Sequence, residues 1–400
     1  EHKCDEQATA APGTGQPACV AVDSDGSACF LKASCDGAVG GCSHQMCGYR
    51  NANAPGPTPP SPPTPPIPPA PAGMTLREAA AKRGIYIGAA TNVAGVSMQS
   101  EPQYKPVEQA HFSLTTAENA CKFGPIHPER DRFSWADCDA IFAAAEGANQ
   151  AVRGHNLCWH TENPQWLLHG NFNASELRQI LRQHIHAVVT RYGTRALAWD
   201  VVNEAVDQNG LKPSAPWYPK VKDYIDVAFT AAREAGGPSV KLFYNDYSAE
   251  GMNHKSGQVY KLVSGMRSRG VPIDGVGLQF HWSLDSHDPL SEVAANMKRM
   301  ADLDLEVHIT ELDIKCVPQG SSEKCTPARL NAQAELYAQI VSTCLAAPNC
   351  KSVETWGFTD KHTWIGSSTE PLPFDANYKP KPAVDAMINV LLQKLNTSSA

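Results

Sequence analysis

The chain has 400 residues, 42% of them hydrophobic, and a formal net charge of -7 at pH 7. It is longer than one compact domain usually is, so two modules, or one large barrel with an appendage, are expected. It has no block of Lys and Arg and no apolar run of the ~18 residues that a membrane span needs, which argues against nucleic acid and membrane partners.

Residues 1–50 are predicted to form a cysteine-rich module. Six of the thirteen cysteines lie between Cys4 and Cys47, which predicts three disulfides and an oxidising, extracellular compartment. A zinc site is the weaker interpretation, because the segment lacks two CxxC pairs. Only Phe30 and Tyr49 are aromatic, so carbohydrate binding and protein contact both stay open as its role. The opening Glu-His-Lys-Cys is interpreted as the start of a processed chain.

Residues 51–73 are predicted to be a linker. Between Pro55 and Pro71, eleven of seventeen residues are proline. Such a segment extends as polyproline II at ~3 Å per residue, which predicts a semi-rigid spacer of roughly 50 Å. A large domain is then expected at residues 74–400.

Within that domain, strand-like segments alternate with helical ones. After a helical start at 74–83, eight short β-rich segments lie at 86–91, 111–116, 151–157, 196–202, 241–245, 275–280, 306–310 and 352–357. Apolar residues recur at helical spacing at 174–192, 221–235, 292–302 and 328–344. Eight β-then-α units predict an α/β fold, the closed (β/α)8 TIM barrel. An open doubly wound sheet is the alternative. Such a sheet is expected to carry a glycine-rich phosphate-binding turn after its first strand, and the sequence has none there.

Two of these strands lead directly into a carboxylic acid. The apolar run 196–202 is followed by Asn203 and Glu204, and 306–310 is followed by Glu311. In a TIM barrel the C-terminal ends of the strands build one mouth, so the two carboxyl groups could flank a single bond. Ion pairing at a barrel rim is the structural alternative. The surrounding polar residues favour catalysis.

Amide, imidazole, charged and indole side chains follow the strands of the predicted barrel, with Asn245 and Asp313 among them. They are typical of a sugar-binding cleft, because planar polar groups bind hydroxyls and indoles stack on pyranose rings. His155 and His160 could be two metal ligands, but no third stands at a recognisable spacing. We therefore interpret them as hydrogen-bonding histidines and expect no metal or other cofactor.

The chain from about Thr75 to Leu395 resembles glycoside hydrolase family 10, the retaining endo-β-1,4-xylanases. Seven segments stand in the family's order: ENACK at 118–122, GHNLCWH at 154–160, WDVVNE at 199–204, YNDY at 244–247, QFH at 279–281, ITELD at 309–313 and TWGFTD at 355–360. The resemblance implies that residues 74–400 are the catalytic domain, with Glu204 as acid/base and Glu311 as nucleophile. The residues that it implies for the sugar subsites are Glu118, Asn119, Lys122, His155, Trp159, Asn203, Tyr244, Gln279, His281, Trp356 and Trp364.

Several positions depart from the family's usual pattern. Because both glutamates are intact, these changes put subsite preference and pH optimum in question rather than activity. The departures are Phe123 in place of Trp, Cys158 in place of an aliphatic residue, Thr161-Glu162-Asn163 in place of Ser-Gln-Leu, Phe280 in place of Thr and His308 in place of a small residue.

The implied chemistry needs two carboxyl groups ~5 to 5.5 Å apart, one protonated and one ionised. Glu204 must hold the proton, and hydrogen bonds, with His281 as the expected donor, keep Glu311 charged. Asn203 is expected to hydrogen-bond the 2-hydroxyl of the sugar. Xylan and xylo-oligosaccharides are the implied partners of a secreted monomer, and residues 1–50 could add insoluble cell-wall polysaccharide. Two glycosylation sequons, at Asn173 and Asn396, fit secretion.

Two glutamates at strand tips do not determine which polysaccharide is the substrate. A retaining β-1,4-glucanase or mixed-linkage glucanase on the same barrel is therefore the alternative. Trp356 and Trp364 are the candidates for excluding the hydroxymethyl group that glucose has and xylose lacks. A non-catalytic polysaccharide-binding protein is less favoured, because neither glutamate is lost.

The seven cysteines that follow the linker predict three disulfide pairs and one free thiol. The pairs Cys344 with Cys350 and Cys316 with Cys325 could each close a short loop. Cys121 and Cys138 flank the second helical region, and Cys158 is predicted to stay free.

Overall fold

The computed structural model describes residues 20–22, 28–30, 67–92 and 101–393. The chain separates into two units, residues 1–62 and residues 63–400. In the first unit, Val20–Val22 pairs antiparallel with Ala28–Phe30. The disulfides predicted for residues 1–50 concern side chains that lie outside the described ones.

Eight parallel strands close into a barrel in the second unit. Each pairs with its neighbours along the chain, and β8 pairs with β1, which completes the ring. The predicted TIM barrel is thereby confirmed. The strands are β1 (Tyr86–Thr91), β2 (Leu114–Ala117), β3 (Ala151–His155), β4 (Ala198–Asn203), β5 (Lys241–Asp246), β6 (Gly275–Leu278), β7 (Glu306–Lys315) and β8 (Cys350–Thr355).

Helices connect the strands, and four of the eleven helices in the described part of the chain begin at a side-chain cap. The Asn173 side chain accepts hydrogen bonds from the backbone N–H groups of Ser175 and Glu176, so the 19-residue helix after it begins there. Within the described residues no helix is both long and apolar enough to cross a membrane. The helices are α1 (Leu76–Ala81), α2 (Tyr104–His111), α3 (Phe123–Ile126), α4 (Ala136–Gly147), α5 (Gln165–Leu168), α6 (Ala174–Tyr192), α7 (Tyr224–Gly236), α8 (His254–Ser268), α9 (Leu290–Ala301), α10 (Pro327–Ala346) and α11 (Pro382–Leu392).

Two strands differ from their predicted bounds by three residues or more at one end, whereas five others differ by only one or two. The predicted segment 111–116 begins too early, because the chain is helical to His111 and pairs with β1 only from Leu114. The predicted segment 306–310 ends too early, because β7 continues through Glu311 to Lys315 and pairs there with a short strand, His281–Ser283. Glu311 therefore lies inside a strand whose backbone is held on both sides.

The end of the predicted linker packs on the barrel. Ile67, Ala70 and Met74 lie against the hydrophobic core, and the Asn389 side chain donates to the carbonyl of Pro68 at 2.8 Å. Residues 67–73 thus contact the domain that they precede.

The predicted cysteine pairs are present. Cys121 is bonded to Cys138, Cys316 to Cys325 and Cys344 to Cys350. Cys158 is the free cysteine among the described residues, and its side chain is fully buried.

Candidate active site

A cleft of about 570 Å³ opens at the C-terminal ends of the barrel strands. It brings together side chains from seven different strands or the loops after them, as parallel strands that end at one mouth require. Its lining residues are Glu118, Asn119, Lys122, His155, Trp159, Asn203, Glu204, Tyr247, Ser248, Gln279, His281, Glu311, Trp356 and Trp364.

Glu204 follows β4 in a left-handed backbone conformation, with φ 55°. Its N–H donates to the carbonyl of Asn245 at 2.8 Å, which holds this unfavourable geometry. Carboxylate oxygen Oε1 accepts from Asn203 Nδ2 at 3.2 Å and Gln279 Nε2 at 3.1 Å, and Oε2 accepts from Trp159 Nε1 at 3.0 Å. Three neutral donors thus orient this carboxyl group.

Glu311 lies in β7 and is only 5% exposed. Its Oε1 accepts from Asn245 Nδ2 at 2.7 Å, and its Oε2 lies 3.2 Å from His281 Nε2. Burial alone would raise the pKa of Glu311, but the hydrogen bond from His281 and the nearby positive charge hold it below its ordinary value. This carboxyl group is therefore kept ionised.

His281 is the cationic partner of Glu311. Its Nδ1 lies 2.9 Å from Asp313 Oδ2, which also accepts from Trp364 Nε1 at 2.9 Å. Burial opposes protonation of the imidazole, but Asp313 and Glu311 together raise the pKa of His281 to about 10. The ring is thus an imidazolium at neutral pH and donates to a carboxylate on each side.

His155 is held from beneath by a buried ion pair. Its Nδ1 lies 2.9 Å from Asp200 Oδ2, and Arg153 Nε donates to the same oxygen at 3.1 Å. The ring of Trp356 meets the His155 imidazole edge-on, with 5.1 Å between the centroids. The imidazole is thereby fixed in the floor of the cleft.

The loop after β2 contributes a buried cation. Lys122 Nζ donates to Asn119 Oδ1 at 2.8 Å and lies 4.9 Å from the centre of the Trp159 ring. Burial lowers the pKa of Lys122, and the surrounding carboxylates, Glu162 first among them, oppose that effect. The disulfide between Cys121 and Cys138 ties this loop to α4.

Tyr244 is a predicted subsite residue that does not line the cleft. Its side chain is fully buried, its hydroxyl accepts from the Ala205 N–H at 2.9 Å, and the same hydroxyl donates to Asp246. It holds the segment after Glu204 rather than facing the open space. Tyr247 and Ser248, three and four residues further on, line the cleft instead. Their position just after β5 was the available signal.

The sequence placed Asn245 and Asp313 at strand tips but did not predict their hydrogen-bond partners. Asn245 donates to Glu311, and Asp313 binds His281. His160 does not line the cleft, and its ring lies edge-on to Trp159 with 5.6 Å between the centroids. Across residues 67–92 and 101–393, no group of three or more His, Cys, Asp or Glu side chains could hold a metal ion.

Residues 75–390 match the model of glycosyl hydrolase family 10. The endo-1,4-beta-xylanase B of Thermotoga neapolitana is 36% identical over 325 residues, which cover 80% of this chain and 92% of that protein. The crystal structure of native xylanase 10B from Thermotoga maritima is 38% identical, covers 80% of this chain and 98% of that one, and superposes with a TM-score of 0.75.

A second solved structure is xylanase 10B from Thermotoga petrophila in complex with xylobiose. It is 38% identical, covers 80% of this chain and 97% of that chain, and has a TM-score of 0.75. The family match spans most of the barrel and includes the segments that carry Glu204 and Glu311. The chain belongs to glycosyl hydrolase family 10.

Proposed function

We propose that this protein is an endo-1,4-β-xylanase that hydrolyses xylan with retention of anomeric configuration through a covalent glycosyl-enzyme intermediate. The observation that carries the proposal is the contrast between two carboxyl groups in one cleft. Glu311 is kept ionised by the His281 imidazolium and also accepts a hydrogen bond from the Asn245 amide. Glu204 accepts hydrogen bonds from neutral donors only. Such a pair suits a nucleophile and a general acid.

In the first step, Glu204 donates its proton to the glycosidic oxygen while a Glu311 oxygen attacks the anomeric carbon. The bond from that carbon to the leaving oxygen breaks, and an ester to Glu311 forms. His281 and Asn245 hold the attacking carboxylate in place before the reaction, so little reorganisation is needed.

In the second step, water attacks the anomeric carbon and Glu204 takes its proton. The ester bond breaks, and its electron pair returns to the Glu311 carboxylate. The negative charge reappears beside the His281 imidazolium, which stabilises the departing group. Two inversions at one carbon give net retention.

Asn203 is assigned to the sugar's 2-hydroxyl, since its side chain lies beside Glu204 and lines the cleft. Glu118, Asn119, Lys122, His155, Trp159, Gln279, Trp356 and Trp364 are assigned to the sugar subsites. Trp356 is 8% exposed and Trp364 is 56% exposed, so one is a wall of the cleft and the other a surface at its rim. A xylose ring lacks the hydroxymethyl group of glucose, so it needs less space between these two indole side chains.

Xylan and xylo-oligosaccharides are therefore the proposed substrates. The similar enzyme from Thermotoga petrophila was solved with xylobiose, which supports this assignment. We also propose that the protein is secreted, because it carries three disulfides in the barrel. Residues 1–50 remain the candidate for contact with insoluble cell-wall polysaccharide.

The test measures reducing-sugar release from xylan, cellulose, mixed-linkage glucan and mannan in parallel. Purified wild-type protein should hydrolyse xylan much faster than the other polymers, and the first-formed product should be the β-anomer by NMR. The matched control is Glu311→Gln, which keeps the size of the side chain and removes the nucleophile. Faster hydrolysis of a glucan would assign a glucanase instead, and activity on none of the polymers would favour a binding protein.

A further inference from the structure

Glu250 is a buried carboxylic acid that the reaction described above does not use. It follows β5, is 1% exposed, and does not itself line the cleft. Its Oε1 accepts a hydrogen bond from the backbone N–H of Phe280 at 3.0 Å. Burying a carboxyl group is unfavourable unless hydrogen-bond partners compensate, so an apolar side chain would fill this space at lower cost.

Phe280 adopts a backbone conformation that its side chain disfavours. Its φ is 61°, in the left-handed region, which is unfavourable for any residue other than glycine. The peptide groups around it are held on each side, because the Phe280 carbonyl accepts from the Asp313 N–H at 3.3 Å and the Gln279 N–H donates to Asp246 at 3.1 Å. The Phe280 N–H has Glu250 as its acceptor.

This turn presents a partner to each of the two glutamates. Gln279, immediately before Phe280, donates to Glu204 Oε1 at 3.1 Å. His281, immediately after it, binds Glu311 Oε2 at 3.2 Å. A rotation of the Phe280 backbone would therefore displace both partners together.

The backbone at Glu250 is itself fixed to the outer ring of helices. Asn296 of α9 donates from Nδ2 to the carbonyls of Ala249 and Glu250, at 2.7 and 2.9 Å. The N–H of Gly251 donates to Asp288 at 2.8 Å. A chain of hydrogen bonds thus runs from α9 through Glu250 to the turn at Phe280.

We propose that Glu250 is a positioning residue for the hydrolysis: it holds the strained turn 279–281 so that Gln279 and His281 keep their contacts with Glu204 and Glu311. This inference rests on the proposed function. The alternative is that Glu250 only stabilises the fold, like any other buried polar group.

The experiment compares Glu250→Met, which keeps an unbranched side chain but removes the acceptor, with Glu250→Gln, which keeps an acceptor oxygen. The matched control is Glu108→Met. Glu108 of α2 is also buried, at 4% exposure, and accepts from Gln150 Nε2 at 2.9 Å. Burial raises the pKa of both Glu108 and Glu250 to about 7, so the two substitutions remove comparable groups.

The readout is kcat/KM against pH, measured with an aryl β-xylobioside whose leaving group needs no proton. Its acidic limb follows the ionisation of Glu311. Glu250→Met should lower kcat about 10- to 100-fold and move the acidic limb to higher pH, because His281 no longer holds Glu311 firmly. Glu250→Gln should restore most of the activity and the wild-type limb. Glu108→Met should lower the melting temperature without moving the limb.

A wild-type pH profile in folded Glu250→Met would overturn the inference, as would an equal shift in Glu108→Met. If Glu250→Met does not fold, Asn296→Ala takes its place, since it frees the backbone at Glu250 and leaves the carboxyl group present. The same direction of shift is then expected, and its absence would count against the inference. Wild-type protein that fails to hydrolyse xylan would refute the proposed function instead, so the two failures are distinguishable.

Discussion

The side-chain amide of Asn245 on β5 donates to Glu311 Oε1 on β7 at 2.7 Å, across the end of the intervening strand β6. The same nitrogen donates to Asn203 Oδ1 at 2.9 Å, and Asn203 in turn donates to Glu204 Oε1 at 3.2 Å. One chain of amides therefore joins the two carboxyl groups. A Cβ atom at Gly277 would lie 2.2 Å from Asn245 Oδ1, so glycine is required there for the amide to fit.

Replacing Asn245 by Ala should weaken both ends of this chain. Glu311 would lose a hydrogen bond to a charged group, which is worth about 1.5 to 3 kcal/mol, so kcat/KM should fall roughly 10- to 150-fold. The control is Thr310→Val, which removes only the donor to Asn245 Oδ1 at 2.7 Å. It should have the smaller effect in the same steady-state assay. An equal loss in both variants would mean that the position of Asn245, rather than its bond to Glu311, limits the rate.

His281→Gln should change the pH dependence of the reaction. His281 is protonated below pH about 10 and lowers the pKa of Glu311, so without its charge Glu311 ionises only at higher pH. The acidic limb of kcat/KM should therefore lie at higher pH in His281→Gln than in the wild type. At a pH between the two limbs, the wild type should be active and the variant largely inactive. His186→Gln is the matched control, because His186 pairs with Glu234 on the outer helices at 3.1 Å. An acidic limb that stays in place in His281→Gln would refute the ion-pair role.

Azide should report the roles of the two glutamates through stereochemistry. In Glu204→Ala, an aryl glycoside still forms the intermediate on Glu311, and azide then attacks to give the β-azide. In Glu311→Ala, azide enters the space of the missing carboxylate and gives the α-azide. NMR of the glycosyl azides distinguishes the two. The opposite anomer from either variant would exchange the assigned roles.

Much of this site follows from the sequence, because runs such as 196–202 and 306–310 are buried strands and their C-terminal ends must meet in a barrel. Alternation within a strand carries more information than the motif alone. Successive side chains point to opposite faces, so Tyr244 and Asn245 cannot both point into the barrel, and Asn245 is the one that reaches Glu311.

The positive φ values of Glu204 and Phe280 could not be predicted from the sequence pattern. They depend on acceptors that are distant in sequence or in another loop, Asn245 for the first and Glu250 for the second. Local propensity would place neither residue in the left-handed region, so only the assembled barrel reveals these two turns.

The start of the catalytic domain can be located by truncation. Ile67 and Ala70 pack on the core, and Pro68 accepts a hydrogen bond from Asn389 of α11 at 2.8 Å. A chain that begins at Pro63 should keep the thermal stability and the activity on soluble xylan of the full chain. A chain that begins at Met74 exposes the apolar surface that Ile67 and Ala70 cover, so its melting temperature should fall by several degrees. Calorimetry of the two truncated chains tests this, and equal melting temperatures would place residues 67–73 with the linker.

The chain that begins at Pro63 also tests the cysteine-rich segment, because it removes residues 1–62 without disturbing the contacts of Pro68. On soluble xylan its kcat/KM should match that of the full chain, since every residue assigned to the cleft lies beyond Thr91. On insoluble xylan its rate should be modestly lower if residues 1–50 tether the enzyme, because a tether raises the local substrate concentration without adding a catalytic contact. The isolated segment should then be retained on xylan, cellulose or chitin in a pull-down. Equal rates on the solid polymer, together with retention on none of the three, would assign the segment to protein contact or stability.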